Sequence, residues 1–214
     1  MMKRIEWKSL IITCVFCLLT IIIGVVYYDS LPEQVAIHFD INNNPNNYFA
    51  KPIFVFGFPI FMLLIQLICI ALVDVADKYK EANKKVRRVV KWIIPFLTIS
   101  LYVITLLFNL NYAVDIRAYV MIILGMMFIV VGNYTPKTIG GVYNKHNFKD
   151  EGVQKRVTRI ASYMFIFFGI LMIVSVLFQP IVSAIIMVIY ILAMLVLGAY
   201  GYIEDKKAIK SKEK

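Results

Sequence analysis

Six apolar runs govern what this chain can fold into. They fall at about residues 10–27, 53–73, 92–108, 118–131, 160–178 and 181–202. Each is close to the roughly 20 residues that carry a helix across about 30 Å of hydrocarbon. The fourth is the shortest and needs residues 114–116, with Arg117 snorkelling outward, to reach full length. With 61% hydrophobic and 17% charged residues, the chain has too little polar surface to enclose so much apolar material in one soluble core. The expected fold is an all-α, polytopic membrane protein of six transmembrane helices. Its expected parts are residues 1–75, two helices with the loop between them, and residues 76–214, a four-helix region with basic loops and tail. The basic residues ahead of the first run suit a signal peptide, but 24–29 offers no small-residue cleavage site, so an uncleaved helix is expected.

The placement of lysine and arginine sets the expected orientation. With six spans, 21 of the 23 basic residues fall on one side, in the N-terminus, the 74–91 loop, the 132–159 loop and the tail. Only Lys51 and Arg117 fall on the other. The positive-inside rule then puts both termini in the cytoplasm of a cell whose plasma membrane the chain spans. This asymmetry accounts for the net charge of +10 through anionic headgroups, without nucleic acid. The cluster Lys84, Lys85, Arg87 and Arg88 forms a basic inner face, and the 74–91 stretch has the helix formers to extend its flanking spans.

The longest polar interval that is not basic runs from Asp29 to Pro52, on the expected outer side. Leu31-Pro32 fixes an extended backbone just past the first span. Val35, Ile37 and Phe39 alternate with Ala36, His38 and Asp40, a two-residue period that predicts a short extended segment on the membrane surface. Asn42 to Asn47, with Pro45, reads as a turn-rich tip, after which Tyr48 and Phe49 return at interfacial depth. Lys51-Pro52 opens the second span.

His38 invites three readings: a metal ligand or base beside Asp40, a hydrogen-bonding residue that packs the loop, or a contact for a partner. No third ligand accompanies it in sequence, and no zinc-protease, nucleophile-elbow or phosphate-loop motif occurs. The expectation is therefore no enzyme, no metal and no cofactor. The three cysteines lie inside apolar runs and read as small hydrophobes. Asp74 marks the inner end of the second span. Pro59 and Pro95 fall early in spans two and three, where they can kink the helix or, for Pro95, occupy a first turn. Polar residues within spans, among them Thr20, Gln66, Thr98, Ser162, Ser175 and Ser183, can bond between helices. No internal repeat suggests an inverted-repeat transporter.

Two stretches resemble the SdpI-type family of bacterial membrane proteins. The first is Leu31-Pro32-Glu33, then Ile37-His38-Phe39, a turn, and Lys51-Pro52 entering a span. The second is Gly132-Asn133-Tyr134, then Pro136-Lys137, after span four. Ala36 stands where the family usually has proline, and the family's R-T-P-W segment is missing downstream. The resemblance covers the whole chain. It implies an immunity protein that protects a Gram-positive producer from a secreted antimicrobial peptide, or a receptor that draws a cytoplasmic regulator to the membrane. The candidate outer-loop residues are Leu31, Pro32, His38, Phe39, Asp40, Tyr48, Lys51 and Pro52, and the candidate inner-loop residues are Asn133, Pro136 and Lys137.

Three functions follow. The first is a non-catalytic membrane protein that binds a secreted peptide at its outer face, where the loop's acids favour a cationic ligand. The second recruits a cytoplasmic regulator to the basic inner face. The third is a small transporter, for which spans three to six show few polar residues.

Overall fold

The computed structural model describes residues 6–75, 84–137 and 148–212. Helix α1 spans Trp7–Val26 and ends in a 3-10 turn, Tyr28–Ser30. Strands β1, Gln34–Phe39, and β2, Pro45–Ala50, form an antiparallel hairpin. A π-helical turn, Ile53–Gly57, leads into α2, Phe58–Val75. The remaining helices are α3, Lys84–Asn109, α4, Ile116–Tyr134, α5, Glu151–Ser175, and α6, Pro180–Lys212. All six expected spans are helices long and apolar enough to cross a bilayer, so this is a multi-pass membrane protein. Faces such as Ile11, Val15 and Ile22 on α1, or Ile185, Val188 and Leu192 on α6, are exposed and supply the lipid-facing surface.

Helix ends differ from the apolar runs because polar residues continue a helix once its backbone is nucleated. Helix α4 gains a turn or less at each end, so the Gly132-Asn133-Tyr134 stretch is its last turn rather than a loop. Helix α3 starts two turns before Trp92, which places Pro95 well inside it and excludes the first-turn reading. Proline has no N–H to give the carbonyl four residues back, here that of Lys91. The Gln66 side chain of α2 fills that gap, its Nε2 donating to the Lys91 carbonyl at 3.0 Å.

The fold divides into two compact units, one comprising the described residues up to Val75 with Arg87–Ile123, the other comprising mainly Leu124 onward. In the first, α1 turns Thr13, Cys17, Thr20 and Gly24 inward, at intervals of one helical turn. The Thr13 and Thr20 hydroxyls donate to carbonyls of their own helix, so Thr20 is not the expected bond between helices. Thr98 donates within α3 and also meets Cys17 Sγ of α1 at 3.7 Å, a contact between helices. A Cβ at Gly24 would run into the hydroxyl of Tyr102, whose ring stacks on Phe54 at 4.7 Å.

At the far end of this unit from the hairpin lies a buried ion cluster. Asp74 Oδ1 accepts from Arg87 Nη2 at 2.6 Å and from Lys91 Nζ at 2.7 Å. Its Oδ2 accepts the Glu6 N–H at 3.2 Å, and Lys91 also reaches Glu6 Oε2 at 2.9 Å. Two cations facing two carboxylates leave the cluster neutral, which is the condition for burying charge at a membrane boundary. Asp74 is therefore a structural anchor of α1, α2 and α3, beyond marking where α2 leaves the bilayer.

In the second unit α4 and α5 cross through glycine. A Cβ at Gly125 would lie 2.5 Å from the Gly169 carbonyl, and one at Gly132 would lie 2.8 Å from that of Ser162. The Ser162 hydroxyl donates to the Gly132 carbonyl at 2.6 Å, a bond between helices that the sequence suggested. Ser175 and Ser183 pair across the tight turn before α6, where Pro180 takes the first helical position. Asp150 caps α5 through the Val153 N–H, and Lys212 lies 2.6 Å from its other oxygen.

Candidate functional site

The polar interval after α1 forms a docked hairpin, more ordered than the short extended segment expected. Leu31 and Val35 are buried with Phe54, Val55, Tyr102 and Leu106, so the hydrophobic residues of the interval hold its base on the helices. Lys51, at the start of the second span, is buried: its Nζ lies 2.9 Å from Glu33 Oε1 and 5.1 Å from the centre of the Tyr28 ring. Its N–H donates to the Glu33 carbonyl and closes the ladder. Pro32 and Pro52 are exposed and act through backbone restriction at the two ends of the hairpin. Phe39 packs edge-on against Phe108 at 4.5 Å.

The edge of β1 is covered by a side chain. Because Glu33 and Lys51 are a bonded pair, the antiparallel alternation turns the N–H and C=O of Ala36 away from β2. Asn109, the last residue of α3, meets both: its Oδ1 accepts the Ala36 N–H at 2.8 Å, and its Nδ2 donates to the Ala36 carbonyl at 3.0 Å. One carboxamide thus does the work of a neighbouring strand. Asn43 forms a second clamp. Its Nδ2 donates to the Val114 carbonyl at 3.0 Å, and its Oδ1 accepts the Ile116 N–H at 2.9 Å, at the first turn of α4. Asn43 holds φ at 67°, a conformation asparagine tolerates better than most residues. Neither asparagine stood out in the sequence beyond the polar tip itself.

Asp40 organises the tip. Its Oδ1 accepts the N–H groups of Asn42 and Asn44, at 2.9 and 2.8 Å, and its Oδ2 the Asn44 amide at 3.2 Å. The Asn44 N–H above all, with the Asn44 side chain and the Asn42 N–H, holds the carboxyl below the usual carboxylate range against desolvation. This closes the turn within residues 40–44, so Asn46 and Asn47 belong to β2 and not to the tip as the sequence suggested.

His38 lies beside a bulge, opposite Asn47, and its Nδ1–H donates to Asn46 Oδ1 at 2.6 Å. Asp40 is committed to the tip, and among the described residues no group of three His, Cys, Asp or Glu could hold a metal ion. The exposed strand residues of the hairpin are Gln34, His38, Asn46, Asn47, Tyr48 and Phe49. The acids of this end are largely engaged within the chain. Glu33 pairs with Lys51, Asp40 with its own turn, and Asp115 with Arg117 at 3.1 Å. Burial pushes the Asp115 carboxyl up, but the Ala118 N–H and Arg117 outweigh it and bring it below the usual range. Glu33 and Asp115 are thus each offset by a cation, while exposed Asp29 and the ionised Asp40 keep the negative charge expected to favour a cationic ligand.

A family model described as a domain of unknown function, DUF1648, matches residues 15–63, a stretch centred on this hairpin. Along nearly its whole length the chain is similar to the immunity protein SdpI of Bacillus subtilis (strain 168), with 27% identity over 202 residues, 91% of this chain and 96% of that one. The chain is SdpI-like. No solved structure matches it.

The second stretch that carried the SdpI-like resemblance is spread over a helix end. Gly132 packs against α5, Asn133 is exposed, and Pro136 is exposed in a 3-10 turn, Thr135–Lys137. The side chains of Lys137, Lys84 and Lys85 lie outside the described residues. Of the basic inner face, Arg88 is exposed, but Arg87 is buried against Asp74 and is not available to a partner. Charge periodicity could not separate the two, because neighbouring arginines on a helix point about 100° apart and only the packing of α2 selects one.

Proposed function

We propose that this is an immunity-type integral membrane protein that captures a secreted antimicrobial peptide at the hairpin, with that end outside the cell and no catalytic step. Its full-length likeness to an immunity protein supports the reading. So does the positive-inside distribution, which leaves only Lys51 and Arg117 at the hairpin end. The observation that carries it is the construction of the hairpin. One edge is held by Asn109 and the tip by Asn43, while His38, Asn46, Asn47 and Tyr48 stay exposed. A preorganised polar and aromatic face loses little entropy on binding. Recognition then falls to aromatic and amide groups beside the remaining charges of Asp29 and Asp40.

The test is survival of a peptide-sensitive bacterium expressing the wild type, His38→Ala or Tyr48→Ala, with membrane abundance measured in parallel. Protection by the wild type, lost in Tyr48→Ala at normal abundance, is the expected result. Absence of protection against every secreted peptide tried would refute the reading. Labelling of Asn46→Cys in intact cells tests the sidedness separately.

A further inference from the structure

Beneath the hairpin, the first unit encloses a cavity of about 590 Å³, inside the roughly 300–1,000 Å³ range of sites that hold small molecules. Phe39 and Phe49 of the hairpin roof it, and Phe58, Phe61, Leu101 and Ile104 are among its walls. Among the described residues, Thr105 supplies the only polar side chain of the lining, and no ionisable group lines it. We propose that it seats the acyl chain of a membrane phospholipid. This is independent of whether a peptide binds above.

Three observations select that occupant. First, α2 and α3 are membrane-spanning, and Phe61 and Leu101 lie well inside them, so hydrocarbon is the phase at this depth. Thr105 alone offers water too few of the two to four hydrogen-bond partners a buried water needs, and an empty cavity would forfeit the dispersion contacts of its walls. Second, Phe61, Ile53 and Phe49 are lining residues that are themselves exposed, so the mouth opens sideways on the flank that runs from α2 through the π-helical turn to β2. From above, entry is obstructed by the hairpin, which Asn109 and Asn43 hold down. Third, the wall is kept open where the backbone does not require it. Gly57 ends the π-helical turn, and a Cβ there would meet only the Ile53 side chain, at an ordinary 3.4 Å. A larger residue would fit, and would occupy the cavity. The two cations beside the walls, Lys51 and Arg117, are each paired with a carboxylate, so the site selects the tail and not the headgroup charge.

The experiment is photolabelling in nanodiscs with phosphatidylglycerol and, separately, phosphatidylcholine carrying a diazirine in the acyl chain. Labelled residues are mapped by mass spectrometry in the wild type, Gly57→Leu and Thr105→Leu. The expected result is labelling of the lining, at Phe58, Phe61 or Leu101, above that of the exposed α1 face, equally with both lipids. Both variants fill the cavity, one from the π-helical turn and one from α3, and in each the excess at the lining is lost while α1 labelling is unchanged. Labelling no higher at the lining than on α1 overturns the proposal, and leaves the cavity to another apolar occupant such as a peptide side chain. Excess labelling that persists in both variants, or that occurs with phosphatidylglycerol alone, also overturns it.

Discussion

Replacing Asn109 with leucine isolates what holds the hairpin in place. Leucine keeps the side chain's branching at Cγ and favours the helix more than asparagine does, but it removes the carboxamide. The Ala36 N–H and C=O, on a residue that is 3% exposed, then have no partner. An orphaned buried group costs about 1–3 kcal/mol, so two cost about 2–6 kcal/mol while the hairpin stays docked. The hairpin instead opens to let water in. Even the low end, about 2 kcal/mol, shifts docking by roughly thirtyfold. The six spanning helices do not depend on this contact, so membrane abundance holds. Hydrogen exchange by mass spectrometry in nanodiscs reads the effect directly: peptides covering 33–40 and 48–50 lose protection, while α5 is unchanged. Asn43→Gly removes the second clamp but keeps its left-handed backbone, and combined with Asn109→Leu it deprotects the tip as well. Unchanged exchange at Ala36 in Asn109→Leu would refute the clamp.

Gln66→Leu leaves the Lys91 carbonyl unpaired and costs about 1–3 kcal/mol, but in a Pro95→Ala background the restored Ala N–H takes that carbonyl and the cost shrinks. A double-mutant cycle on thermal stability checks this, and additive effects would count against the pairing. Asp74→Asn leaves Arg87 and Lys91 buried without their carboxylate, a loss of about 3–5 kcal/mol visible as reduced membrane abundance. For the same reason Arg87→Gln lowers abundance, so a test for a cytoplasmic partner is better made at Arg88. Gly169→Val pushes α5 off α4 and destabilises by about 1–3 kcal/mol, measured by thermal aggregation in detergent. Asp40 has a folded-state carboxyl below its ordinary value, so its contribution to the tip is fully present above the ordinary carboxylate range. That contribution falls away as pH drops through the lowered value, and the Asn42 and Asn44 amides then exchange faster than the acid-corrected intrinsic rate predicts.

Much of the site was open to sequence reading because it depends on local chemistry. Leu31, Lys51 and His38 were singled out, and the structure buries the first two in the hairpin base while the third bonds along the exposed face. The tip was drawn too long because the choice between a loose asparagine run and a tight turn rests on where one carboxylate points. Asn109 could not be found at all. It is one asparagine at the end of a span, and its role appears only when a strand edge 73 residues away in sequence arrives beside it.

The apolar runs by themselves determined six helices and a membrane setting, since backbone polar groups in hydrocarbon must be satisfied within the segment. Residue identity also determined that the interval after α1 would be extended, through proline restriction and a two-residue period. Only the tertiary structure decided which polar groups meet. Asn109 substitutes for a strand, Gln66 for the N–H that Pro95 lacks, and Asp74 draws Arg87 inward while Arg88 stays out. The physical reason is one of range. Hydropathy and propensity act over a few neighbouring residues, whereas the partner of a buried donor or charge is set by helices that pack from distant parts of the chain.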